Sequence, residues 1–245
     1  MAGRAAAVGL CALSAWAGAP AVADETLGWL TFSGEVRARY ETLDGQFRAG
    51  GSGGDQALSL RTLVRAKAAS GPFGFGLELQ DARVYGDDAG TPLSTSLVNP
   101  FDVLQAYVRF EPRDVFGFDV ASLTLGRQTF GIGSQRVLER TDMGNVIFSY
   151  TGASLRGVTA DGDVFYVLAF VPTQRMPEDR ASLADNALSG DEEQWGRRAW
   201  GLHWRDRDFL GRSGLWGEAY LYGLHERDED GVETPNRDYL QPGFR

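Results

Sequence analysis

Arg37 and Arg39, then Arg61, Arg65 and Lys67, then Arg109, recur at even spacings within three short segments. A guanidinium fork grips a carboxylate through two parallel hydrogen bonds and stays charged at physiological pH. Several forks on one face hold or pass anions. Other chemistry is poorly supplied. His203 and His225 are the only histidines, and Cys11 is the only cysteine. One cysteine excludes a disulfide framework and a Cys-rich zinc site. Ser213 and Glu218 are the nearest catalytic partners for His203, but the spacing supports no dyad, so the chain is not read as an enzyme. The run Gly50-Gly51-Ser52-Gly53-Gly54 is followed by neither Lys nor a helix pattern, so it reads as a loop and not a phosphate cradle. Asp228-Glu229-Asp230-Gly231 does not follow the EF-hand spacing. No cofactor and no metal are expected.

The segments that carry these arginines alternate. In 31–43, TFSGEVRARYETL, Phe32, Val36, Ala38 and Tyr40 fall on one parity and Glu35, Arg37, Arg39 and Glu41 on the other. Period two is the mark of a strand with one apolar and one polar face. Residues 57–69 repeat it, with Leu58, Leu60, Val64, Ala66 and Ala68 against Ser59, Arg61, Arg65 and Lys67. Residues 73–84 set Phe73, Phe75, Leu77 and Leu79 against Glu78 and Gln80. Residues 102–111 set Leu104, Ala106, Val108 and Phe110 against Gln105, Tyr107, Arg109 and Glu111. Further strands are expected at 118–130, 151–160, 163–171, 197–207 and 213–226. In 118–130 neither parity is cleanly polar, and in 163–171 both are apolar. The strands number about nine, most of about ten residues or more, which suits a tilted bilayer crossing better than a soluble sandwich.

The connections alternate as well. The gaps 44–56, 85–101, 131–150, 172–196 and the stretch from about Asp228 onward are long. Those at 70–72, 112–117, 160–162 and 208–212 are short. Short periplasmic turns and longer outer loops are the habit of an up-and-down outer-membrane barrel. Trp29, Phe32 and Tyr40 sit near strand ends, and Trp200 and Trp204 share an apolar parity, as a membrane girdle requires. The leader agrees. Arg4 precedes an uncharged Ala-rich stretch, and Ala21-Val22-Ala23 matches a signal-peptidase site, so residues 1–23 read as a signal peptide and 24–245 as one barrel domain.

Composition adds a contrast. The chain of 245 residues carries 24 Lys plus Arg against 33 Asp plus Glu, a formal net charge of −9. Such a chain is a poor nucleic-acid binder. Yet the polar parity is basic, with Arg127, Arg156, Arg197 and Arg205 on the poorer strands adding to it. Acids gather in the long loops, at Asp87-Asp88, Glu178-Asp179, Asp191-Glu192-Glu193 and Asp228-Glu229-Asp230. A ring of Arg and Lys in a pore selects anions. The expected solute is anionic; a general or phosphate-type anion porin and a non-transporting exported carbohydrate-binding β-protein are the rival readings.

One stretch goes beyond pattern. VLQAYVRFEP (103–112) precedes LTLGRQTFGIGSQRVLERTDMGN (123–145) and the strand start TGASLRG. This order, with the arginine-bearing SGEVRARYE and RTLVRAKA strands, resembles the alginate export family of outer-membrane barrels. Its most specific part is Leu125-Gly126-Arg127-Gln128 with Gln135-Arg136-Val137. The resemblance implies an eighteen-stranded barrel with an arginine-lined pore that passively exports an anionic polysaccharide such as alginate. It also implies outer-membrane lipid around the protein in a Gram-negative-type bacterium and periplasmic secretion partners. Carried over, Arg37, Arg39, Arg61, Arg65, Arg109 and Arg127 line the channel, and Arg136 sits in a loop able to fold toward the pore. The strands in hand amount to about half of such a barrel, so the chain reads as its N-terminal portion. Pro242 and Gly243 make a poor terminal strand.

Overall fold

The computed structural model describes residues 25–44, 54–88, 90–115, 117–212, 214–229 and 231–245. The expected signal peptide and the glycines of 50–53 lie outside the described residues. In chain order the strands are β1 (Glu25–Leu27), β2 (Leu30–Leu43), β3 (Asp55–Ser70), β4 (Phe73–Tyr85), β5 (Asn99–Phe110), β6 (Arg113–Val115) and β7 (Phe118–Gln128). They continue as β8 (Tyr150–Val158), β9 (Val164–Gln174), β10 (Glu192–Glu193), β11 (Arg197–Asp206), β12 (Gly217–Glu226) and β13 (Asp238–Phe244). One short helix, α1 (Arg180–Ala184), interrupts the loop before β10.

All the strands form one antiparallel sheet, ordered β1-β2-β3-β4-β5-β7-β8-β9-β11-β12-β13, with β6 on β7 and β10 on β9. Each long strand pairs with its neighbour in sequence, which is the up-and-down order expected. Among the described residues β13 does not pair back onto β1 or β2, so the sheet is open, a part of a barrel wall.

Parity decides what each face meets. On one face Phe32, Val36, Val64, Phe73, Phe75, Leu77, Val108, Leu125, Leu202 and Trp204 stand exposed, Val36 at 68 %. The register sets them side by side: Phe75 opposite Val108, Val108 opposite Leu125 and Leu202 opposite Leu221. So continuous an apolar face is a hydrocarbon-facing surface. The other face carries the charge, in cross-strand rows such as Arg65, Glu78 and Gln105.

The structure departs from strict alternation at three places. A register shift between β4 and β5 pairs Glu78 with Gln105 but Leu79 with Val103. Leu104 is the extra residue of this bulge. It turns to the charged face, against Leu63 and Ile147, and not to the apolar face that parity gave it. The second departure is β13, where Pro242 and Gly243 do extend a strand. Among the described residues β13 pairs with β12 alone, and proline is tolerated where its backbone nitrogen has no ladder partner to serve. Gly243 is required by Tyr220, whose ring would lie 2.1 Å from a Cβ there. The third is loop 129–149. It lies against the charged face, burying Phe130, Ile132 and Leu138 on Leu168 and Tyr222, with Tyr150, Tyr166, Phe170 and Tyr220 around them.

An arginine in the bilayer midplane of a barrel's lipid face costs about 2–4 kcal/mol. Leu77→Arg is expected to lose a stability within that range in urea unfolding from phospholipid vesicles. A loss below about 1 kcal/mol would place Leu77 outside the hydrocarbon.

Candidate functional site

The charged face is built from the lysine and arginine positions of β2, β3 and β5. Antiparallel register sets Arg37 directly opposite Arg61 and Arg65 opposite Glu78. Like charges in facing positions repel. Both arginines of the first pair turn their guanidinium ends toward loop 129–149. Arg37 Nη1 donates to the Asp142 carbonyl at 2.6 Å, and Arg61 Nη1 donates to the Gly144 carbonyl at 2.9 Å. Arg39 Nη1 donates to the Met143 carbonyl at 2.9 Å. Arg61 also pairs with the Glu35 carboxylate at 2.5 Å. Three strand arginines thus hold three consecutive loop carbonyls.

Glu78 is the second anchor. Its carboxylate is fully buried and accepts from Arg65 Nη2 at 2.6 Å and from Arg140 Nη2 at 2.8 Å. Gln105 Nε2 also donates to it. Arg140 reaches Glu78 from the loop and bonds the Thr129 hydroxyl at the loop's start. Asn145, 1 % exposed, donates its amide to the Leu97 carbonyl at 2.7 Å, and the Ile147 amide donates to Gln80 Oε1 at 2.9 Å. Side-chain donors from the wall and the Gln80 acceptor therefore satisfy part of the backbone of this loop, alongside its own turns.

The other expected residues fall elsewhere. Arg109 pairs at 3.4 Å with Glu111 and stacks 5.2 Å from the Tyr107 ring centroid. Arg127 stands apart. It pairs with Ala106 and Thr151, on the parity of Leu125 and Val108. Its guanidinium is held by Glu193 at 2.7 Å, by Asp102 at 3.3 Å and by the Val103 carbonyl at 3.0 Å. Arg136 lies in the loop beside a cavity that His203 and Glu218 also line. His203 and Glu218, whose spacing suggested no dyad, stand 3.9 Å apart because β11 and β12 pair His203 with Tyr220 and Arg205 with Glu218.

Sequence reasoning missed Arg140, Asn145 and the carbonyls of 142–144. Polar residues clustered in ERTDMGN, inside a loop rich in Phe, Ile, Val and Leu, were the available signal. It also missed a second cluster, where Asp191 accepts from Asn99 Nδ2 at 2.6 Å and from the Met176 amide at 2.9 Å. Burial pushes the Asp191 carboxyl up to about 6. Burial also opposes ionisation of Glu193, but the hydrogen bond and charge of Arg127 hold that carboxyl below its ordinary value.

Two outcomes follow from these contacts. Stripping a buried ion pair of one partner costs about 3–5 kcal/mol. Glu78→Ala should therefore release the loop, and trypsin should cut after Arg136 and Arg140 at least about tenfold faster. For Asp191, the folded loop binds its proton more tightly than the unfolded chain does. Its contribution is full below the ordinary carboxylate value and is lost as pH rises through about 6. Amide exchange in 175–196, corrected for intrinsic rate, should be slower at pH 4 than at pH 7, and Asp191→Asn should remove the difference.

Comparison with known proteins bears on this geometry. The sequence model of a family described as alginate export matches residues 28–192. No curated protein and no solved structure matches the chain. The matched span runs from the turn before β2 to the start of β10 and takes in every arginine named above except Arg4 and those of β11. It is a family of outer-membrane polysaccharide export proteins of porin type, not of enzymes. With more than half its length inside that match, and with the all-β sheet such a role needs, the chain belongs to the alginate export family.

Proposed function

We propose that this sheet walls an anion-selective channel through which an anionic polysaccharide such as alginate passes passively. Arg37, Arg39, Arg61, Arg65, Arg109, Arg127 and Arg136 are the residues that meet the solute. Arg127, on the parity of the apolar face and bound to Asp102 and Glu193, does so only at the outer rim and does not line the lumen. The observation that carries the reading is a row of guanidinium groups with donors to spare. The Nε atoms of Arg37, Arg61, Arg65 and Arg109 are buried and have no hydrogen-bond partner among the described residues. An unmade bond at a buried donor costs about 1–3 kcal/mol. Solute carboxylates arriving along the face meet the part-exposed guanidinium ends of Arg39, Arg65 and Arg109.

The apolar face supports the same reading, because it gives the sheet a lipid side opposite the charged one. A low-dielectric wall focuses the field of the arginines into the lumen. Among the outer-loop acids, Glu193 pairs with Arg127. The residues act by position and charge, with no covalent step. The leader read at residues 1–23, with cleavage after Ala23, supports export of the chain.

Reversal potentials in planar bilayers, with the chain in its complete barrel, test this. Wild-type channels should prefer anions and be blocked by polyuronate oligomers. Arg39→Ala with Arg65→Ala should shift the reversal potential toward cation preference and weaken the block at least about tenfold. Unchanged potentials would remove the reading. Block by inorganic phosphate alone would indicate a phosphate-type porin.

A further inference from the structure

His203 is 3 % exposed, and its Nδ1 lies 3.1 Å from the Tyr222 hydroxyl. Its Nε2 is buried and has no hydrogen-bond partner among the described residues. Glu218 is 2 % exposed, and its carboxylate contacts that Nε2 at 3.9 Å, beyond hydrogen-bond reach. A buried imidazole nitrogen left without a bond is costly, and such a group marks a place where a partner arrives. A cavity of about 290 Å³ lies against both of them. That is near the lower bound for ligand pockets.

The walls of the cavity are of three kinds. The Tyr220 ring lies parallel to the imidazole, within 3° at 6.0 Å, and Tyr222 is tilted 42° to the imidazole and 39° to Tyr220, so one wall is aromatic with an angled flank. His203 Nε2 and Glu218 form a polar floor. Arg136 and Ser134 come from loop 129–149, and Arg245 from the end of β13. The loop backbone passes close over the floor. A Cβ on Gly133, at φ +56°, would lie 2.5 Å from Glu218 Oε1 and 2.6 Å from His203 Nε2.

We propose that this cavity binds a single hexuronate residue. The C–H face of the pyranose packs on Tyr220 and Tyr222, as apolar edges do on aromatic rings. Ring hydroxyls bond His203 Nε2 and Glu218. The sugar carboxylate turns away from Glu218 and toward the Arg136 and Arg245 guanidinium groups. A small inorganic anion gains only the arginines and meets the repulsion of Glu218, so the sugar is favoured. The site lies beside the 207–216 turn, at the short-turn rim, and β11 and β12 fall beyond the span of the family match. It builds on the transport reading, under which that rim is the periplasmic mouth and the cavity receives the solute first.

Saturation-transfer NMR on the full chain in lipid nanodiscs tests the site, with glucuronate, glucose and inorganic phosphate as probes. Glucuronate should bind at millimolar concentration, glucose more weakly, and phosphate should not displace glucuronate. Gly133→Ala, which puts a methyl into the floor, and Arg136→Ala should each weaken glucuronate at least tenfold, while only Gly133→Ala weakens glucose. Tyr222→Phe, which deletes one hydroxyl, should weaken both sugars a few-fold; wild-type circular dichroism in each variant shows that the sheet is intact. Glucuronate binding unchanged in Gly133→Ala and Arg136→Ala, or its full displacement by phosphate in the wild type, overturns the proposal. Failure of the channel reading appears separately, as conductance indifferent to Arg39 and Arg65.

Discussion

Arg37 and Arg61 face each other across β2 and β3, and two cations so placed need acceptors before the sheet can close up around them. Much of the charged face follows from that need. Glu35 supplies one carboxylate, and the carbonyls of Asp142, Met143 and Gly144 supply the remainder with Arg39. A backbone carbonyl brings an acceptor without a charge. Those loop carbonyls therefore satisfy hydrogen bonds without adding charge. Carboxylates also stand on the face, Glu35 on Arg61, Glu41 on Arg39 and Glu111 on Arg109. Glu78 differs in being fully buried between Arg65 and Arg140, and its charge serves to fix the loop. Desolvated pairs of that kind are weak sources of net stability but are disruptive to break.

The sequence exposed the architecture and much less of the interior. Strand parity in β2, β3 and β4 was legible because one face is apolar over most of each strand, broken by Thr62 in β3 and by Asp81 and Arg83 toward the end of β4. The same reasoning failed at Leu104, since a bulge inserts one residue and reverses parity locally without any change of composition. It failed at β13 because Pro242 and Gly243 are disfavoured inside a sheet but suited to an edge beneath the Tyr220 ring. Arg127 was assigned on a motif, and register gives it the parity of Leu125, with Asp102 and Glu193 around it. The inward course of loop 129–149 left a trace only in hindsight. Its apolar residues Phe130, Ile132, Leu138 and Ile147 are too many for a solvated loop, but they have no period that tells which wall they pack on.

The two sides of the sheet interior differ in chemistry. From β2 to β5 the wall is guanidinium and carboxylate; from β8 to β12 it is Tyr150, Tyr166, Phe170, Tyr220 and Tyr222 with His203. Parity alone could not separate them, because tyrosine counts as apolar in a pattern and yet offers a hydroxyl. In β9 both parities read as apolar for this reason: Val167 and Phe165 face outward, and Tyr166, Leu168 and Phe170 face the loop.

Loop 129–149 spans both walls, and its two halves match them. Residues 140–145 present carbonyls and an amide to the charged wall, while Phe130, Ile132 and Leu138 present hydrocarbon to the aromatic wall. A polyuronate chain has the same two faces, acceptor oxygens on one side of each residue and C–H bonds on the other. On the channel reading proposed above, a solute carboxylate that bonds Arg37 or Arg61 replaces a carbonyl that the loop already supplies, which keeps the net free energy of transfer along that wall small. A transport path needs that balance, because a site that bound its solute tightly would hold it.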